Sequence, residues 1–169
     1  MQARKAYRRR NRIRHWIYGT IIILVLLLVG SYAVIATGLR PINKANKEYG
    51  ALVLKKDKLK TLDHFYWSAR QKTYYTFIGK NDKNQSTGVI VEKGTKKMTT
   101  VKMADGLSYN AVETQIKDKY HPAEITNIGM SIYKDVPVWE VKFIDQKGTL
   151  NFITVQFSNG KEVRTIQNL

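Results

Sequence analysis

From Trp16 to Leu39 the chain carries no charged side chain; beyond that point apolar residues recur at helical and then at strand spacing, twice over. The run WIYGTIIILVLLLVGSYAVIATGL is longer than the roughly 20 apolar residues that carry a helix across a bilayer core. Lipid offers no partner to the backbone, so a helix is the form expected there. Trp16, Tyr18 and, toward the other end, Tyr32 sit where interfacial aromatics belong. The pattern therefore predicts a transmembrane helix over 16–39. A cleaved signal peptide is the rival, but its apolar core is shorter, and Val34-Ile35-Ala36 is only a passable cleavage site. A buried core helix is disfavoured because no face of the run is polar enough to meet water.

After the run, Pro41 suits the first turn of a helix. Residues 42–58 place Ile42, Ala45, Tyr49, Leu52 and Leu54 at roughly helical spacing among lysines. Strand-like segments follow at 64–67, 72–78, 88–92 and 97–102. A second helix begins at the N-cap Ser108, with Tyr109, Val112, Ile116 and Tyr120 on one face, and Pro122 ends it. Strands then follow at 125–133, 137–144, 150–157 and 162–166. The clearest alternation sets Trp139, Val141 and Phe143 against Glu140 and Lys142. Asp82-Lys83-Asn84, Asp145 to Gly148 and Ser158 to Lys161 read as turns.

The two halves align at an offset of 66, which sets Tyr75–Ile78 on Val141–Ile144, Val89 on Val155 and Gly94 on Gly160. The fold class is α+β: an N-terminal transmembrane helix, then two tandem units, each one helix packed on an antiparallel sheet of about four strands. One sheet face would lie under the helix and the other would be open. The organisation is a tail over 1–15, the transmembrane helix over 16–39, a first domain over 40–103 and a second over 104–169. Two such small domains would each be marginally stable alone.

Charge orients the chain. Arg4, Lys5, Arg8, Arg9, Arg10, Arg12 and Arg14 precede the apolar run, and no acid appears before Glu48. The positive-inside rule puts this tail in the cytoplasm and residues 40–169 outside. Arg8, Arg9, Arg10, Arg12 and Arg14 form a basic surface suited to anionic headgroups. A nucleic-acid role would call for interleaved aromatics, and the tail has only Tyr7. The formal charge is +16; the tail holds seven of the 29 basic residues and none of the 13 acids, which leaves +9 outside. That balance favours polyanionic surroundings such as lipid headgroups or phosphate-rich wall polymers. There are no cysteines, which excludes disulfides, thiol nucleophiles and thiolate metal sites.

Catalytic patterns are not found. His15, His64 and His121 lack metal-ligand spacing, and GxSxG, SxxK and HExxH are missing. Glu113 precedes Lys117 by four, which suits a solvated ion pair rather than catalysis. Asn84-Gln85-Ser86 is a cheap sequon match. No cofactor or metal is expected, and the chain does not read as an enzyme. The aromatics between Phe65 and Phe77 are denser. Strand alternation puts them on both faces, so core packing and an exposed patch are both open. The candidate partner-binding residues are Tyr66, Trp67 and Tyr74, since aromatics are enriched at interfaces.

The basic tail, the single apolar run, Arg40-Pro41, the DHFYW…KTYYTFIG stretch (Asp63 to Gly79) and the closing VPVWEVKFID…GTLNFITVQFSNGKEVRTI (Val136 to Ile166) resemble the TseB/YpmB family of Gram-positive bacteria. The resemblance covers essentially the whole chain and rests on architecture rather than a catalytic signature. It implies a single-pass membrane protein with cystatin-like, PepSY-related exterior domains. It further implies a non-catalytic regulator of cell-wall elongation acting beside a class B penicillin-binding protein. An inhibitor of an extracytoplasmic protease and a receptor for wall polyanions are the alternatives.

Overall fold

The computed structural model describes the backbone of residues 2–167 and the side chains of residues 16, 18–31 and 40–167. It divides into two compact units, residues 1–44 and 45–169. The first is helical and belongs to α1 (Gln2–Lys55). Among the described residues no helix is long and apolar enough to cross a membrane. The side chains at positions 17 and 32–39 of the expected transmembrane helix, and those of Arg8, Arg9, Arg10, Arg12 and Arg14, lie outside the described residues. Every side chain from Ile21 to Val29 is at least 50% exposed. Thr20 Oγ1 donates to the Trp16 carbonyl and Ser31 Oγ to that of Leu28, each at 2.9 Å.

The helix expected to begin at Pro41 is the end of α1 instead, which runs through that residue. The proline ring removes one hydrogen bond but fixes a φ that suits a helix. In the second unit, Ala45, Tyr49 and Val53 are buried, four residues apart on one stripe. Leu54, expected on that stripe, is 39% exposed because it lies a further 100° around the helix.

Four antiparallel strands follow in chain order: β1 (His64–Ala69), β2 (Thr73–Lys80), β3 (Ser86–Glu92) and β4 (Met98–Lys102). Alternation divides their side chains. Tyr75, Phe77, Val89 and Val91 pack with Ala45, Tyr49 and Val53 of α1, and Phe65 and Trp67 flank them. Tyr74, Ile78 and Ile90 point to the other face. A 3-10 turn (Met103–Asp105) leads to α2 (Tyr109–Tyr120). Ser108 caps α2 by accepting from Ala111 N at 3.2 Å, and Glu113 pairs with Lys117 at 2.7 Å. His121 ends the helix in the left-handed region, just before Pro122. The second sheet is again a meander, with β5 (Glu124–Tyr133), β6 (Val136–Ile144), β7 (Leu150–Gln156) and β8 (Glu162–Ile166).

The expected open face of the first sheet is covered. Tyr74, Ile78 and Ile90 share one core with Val112 and Ile116 of α2 and with Met130, Trp139 and Val155 of the second sheet. Strand β5 lies close against the first sheet: Asn127 Nδ2 donates to the Trp67 carbonyl at 3.2 Å, and Thr76 Oγ1 to that of Met130 at 3.3 Å. Gly129 permits this approach, because a Cβ there would collide with the Trp67 carbonyl. Sharing one core offsets the small size of each half.

The repeat is present, at an offset of 64 rather than 66. Thr76 pairs with Ile90 and, 64 residues on, Glu140 pairs with Thr154. The β3–β4 turn bonds Glu92 N to the Lys97 carbonyl, and the β7–β8 turn bonds Gln156 N to that of Lys161. The glycine match at 94 and 160 misled the alignment. Gly160 corresponds in the turn to Lys96, and both have positive φ.

Candidate functional site

The second sheet keeps α2 on one side only. Its buried row of Ile128, Met130, Trp139, Val141 and Phe143 packs with that helix. The alternate row turns Ser131, Glu140, Lys142, Phe152 and Thr154 to the opposite face by the two-residue period of the strands. The end of the first hairpin reaches onto this face, because β1 and β2 are joined by only three residues centred on Gln71. That turn delivers Arg70.

Arg70 is held from several directions. Its Nη1 donates to Thr154 Oγ1 at 2.7 Å and stands 3.8 Å from Glu140 Oε1. Its guanidinium carbon lies 5.2 Å from the centre of the Phe152 ring, a cation–π distance. Ser68 Oγ donates to Glu140 Oε2. Both charged side chains are about 85% buried. Burial pushes the Arg70 guanidinium pKa down; Glu140 opposes this and Arg164 adds to it. A guanidinium starts far enough above neutrality to remain a cation. Two buried polar atoms here have no hydrogen-bond partner: Arg70 Nη2 and Ser131 Oγ.

Two openings meet at Glu140. A notch of about 220 Å³ is lined by Trp67, Ser68, Arg70, Asn127, Lys142 and Phe152 among others. A wider cleft of about 580 Å³ is lined by Lys72, Tyr74, Ser131, Tyr133 and Asp135. Lys72 is tied to Glu92 at 2.7 Å, and the same contact pulls the Glu92 carboxyl pKa down. The arrangement offers a fixed cation with a spare donor and a spare hydroxyl beside apolar walls.

Of the two arrangements open for these aromatics, Tyr66 and Tyr74 take the packed one. Tyr74 is buried at 8% exposure, and burial pushes its hydroxyl pKa up. Tyr66 is half-buried, stacked on Tyr109 at 5.3 Å and edge-on to Trp139 at 5.8 Å. Both face inward because the second half covers the side that would otherwise be open. Trp67 is half-buried against the α1 core and also edges the notch. The structure thus brings Trp67 and Tyr74 to the two openings and leaves Tyr66 in the core. His64 and His121 are exposed. Among the described residues no group of acidic or histidine side chains converges as metal ligands. Sequence reasoning missed Arg70, which sits in a turn, and Glu140, which reads as an ordinary solvent-facing position of an alternating strand. No spacing signal links residues 70 apart; only the packing of the halves does.

Residues 51–92, from the last turn of α1 to the end of β3, match the family model described as a cell wall elongation regulator TseB-like domain. The chain is 23% identical over 151 residues to the "Probable cell wall elongation regulator TseB" of Bacillus subtilis (strain 168), covering 89% of this chain and 92% of that one. Its fold is similar to the YpmB protein from Bacillus subtilis, with a TM-score of 0.61 and 23% identity over 72% of this chain and 95% of the other. The matched segment, the sequence relative and the shared fold agree in supporting the TseB/YpmB family.

Proposed function

We propose that this protein is a single-pass, membrane-anchored, non-catalytic regulator of cell-wall elongation that acts outside the cell by binding a class B penicillin-binding protein. The observation that carries the reading is the family match over 51–92, whose β1–β2 hairpin places Arg70 on the uncovered face of the second sheet and Trp67 and Tyr74 at the edges of its two openings. The exposed apolar run from Ile21 to Val29 supports an anchor, as do the Thr20 and Ser31 hydroxyls bonded to their own helix. The basic tail supports a cytoplasmic N-terminus. Tethering to a plane raises the effective concentration toward other membrane proteins, so a weak contact suffices.

The reading is tested by the rate at which fluorescent D-amino acids enter the side wall of cells depleted of the protein. A regulator of elongation predicts reduced lateral incorporation with septal incorporation retained. Unchanged lateral incorporation would overturn it. The +9 charge of residues 40–169 favours wall polyanions as a second reading. In that case retention on teichoic acid would fall steeply with salt.

A further inference from the structure

We infer that the notch around Arg70 is a receptor for a carboxylate, supplied by an acidic side chain on an extended segment of the partner protein. The inference rests on the reading of this domain as a protein-binding module and names the contact that module would use. Arg70 Nη1 is engaged by Thr154 and Glu140, and Phe152 fixes the plane of the guanidinium. The geometry of the group is therefore set before any ligand arrives. Its Nη2 is buried and unpartnered, although a guanidinium carries five N–H donors. A buried, unmatched donor on a cation is costly, and a charged acceptor is its strongest partner.

The charge around the notch selects the ligand. Arg70 and Lys142 line it together with Glu140, which leaves one net positive charge. One carboxylate neutralises that charge, whereas a phosphate monoester would bring a second negative charge beside Glu140. The space, about 220 Å³, accepts a side chain but not a whole helix. The adjoining cleft, with the unpartnered hydroxyl of buried Ser131, runs on from Glu140 and offers room for the backbone that carries the acidic residue. The single net charge and small volume of the notch fit one acidic side chain, with the adjoining cleft for the backbone that carries it.

The test uses the full chain in detergent micelles and follows the indole resonance of Trp67, which lines the notch. The carboxylate probe is the monoanion monomethyl succinate (succinate below), with succinamide as its neutral counterpart and inorganic phosphate as the polyanion control. Succinate should shift the Trp67 signal saturably at millimolar concentration, and succinamide should not. Arg70→Lys keeps the charge but loses the planar fork, and should weaken succinate binding about tenfold. Lys142→Gln, at a half-buried position of β6, should weaken it a few-fold with the fold intact. Equal shifts from succinamide, phosphate binding tighter than succinate, or succinate binding unaffected by both substitutions would each overturn the inference. Crosslinked capture of the partner by the same variants separates the two claims. Succinate binding without any captured wall-synthesis protein contradicts the proposed function and leaves the notch standing. Capture without succinate binding does the reverse.

Discussion

Asn81 and Asp145 close two hairpins in the same way. Asn81 Oδ1 accepts from the backbone N–H groups of Lys83 and Gln85, and Asp145 Oδ1 from those of Lys147 and Thr149, all at 2.9 Å. Three residues on, Asn84 and Gly148 both take positive φ. The repeat therefore reaches down to individual hydrogen bonds, although the side chains that make them differ.

That difference has a consequence for pH. The backbone N–H of Thr149, then that of Lys147, holds the Asp145 carboxyl pKa below its ordinary 3.8. A carboxyl whose folded pKa is depressed contributes stability above its unfolded value and loses it as pH falls through the folded one. Thermal unfolding of Asp145→Asn should therefore match the wild type near neutrality and show a shallower loss below about pH 4. Asn81 already shows that an amide serves in this turn. An unchanged acid limb would contradict the assignment.

The close approach of β5 to the first sheet depends on Gly129. Gly129→Ala sets a methyl group against the Trp67 carbonyl, and should cost about 1–3 kcal/mol in urea unfolding. The partners of that contact, Asn127 and Trp67, belong to opposite halves of the repeat. The loss should consequently appear as one cooperative transition rather than as selective melting of one half.

Adjacent positions on α1 should behave differently. Val53 is fully buried against Phe77 and Val89, while Leu54 is exposed. Val53→Ala should destabilise by about 2 kcal/mol. Leu54→Ala, although it removes more carbon, should stay within about 0.5 kcal/mol. Denaturant midpoints of the two variants check this.

The absence of cysteine makes the orientation accessible to direct measurement. Single substitutions Ala6→Cys in the tail and Lys147→Cys in an exposed hairpin turn can be treated in intact cells with a membrane-impermeant thiol reagent. Lys147→Cys should label and Ala6→Cys should label only after lysis. The opposite pattern would invert the proposed topology.

Much of the fold was legible in the chain. Every strand lies within a few residues of its alternating segment, and Ser108 caps α2 as its position before the apolar stripe predicts. Local signals of this kind are read from neighbours in sequence. What could not be read was the meeting of the halves. The period of β2 shows that Tyr74 and Tyr75 face opposite sides, but not that both sides are covered. Pro41 signals a helix start wherever a helix starts, and says nothing when one passes through it. The offset of 66 followed identical glycines, whereas turn geometry equates Gly160 with Lys96. The Arg70–Glu140 cluster depends on long-range packing alone, so no spacing along the chain announces it.

The most direct test of the regulatory role is affinity purification of the full-length protein from gently crosslinked membranes, read by mass spectrometry. The account predicts enrichment of a class B penicillin-binding protein, with less recovered by Arg70→Lys. Recovery of an extracytoplasmic protease instead, or of no wall-synthesis protein, would contradict it.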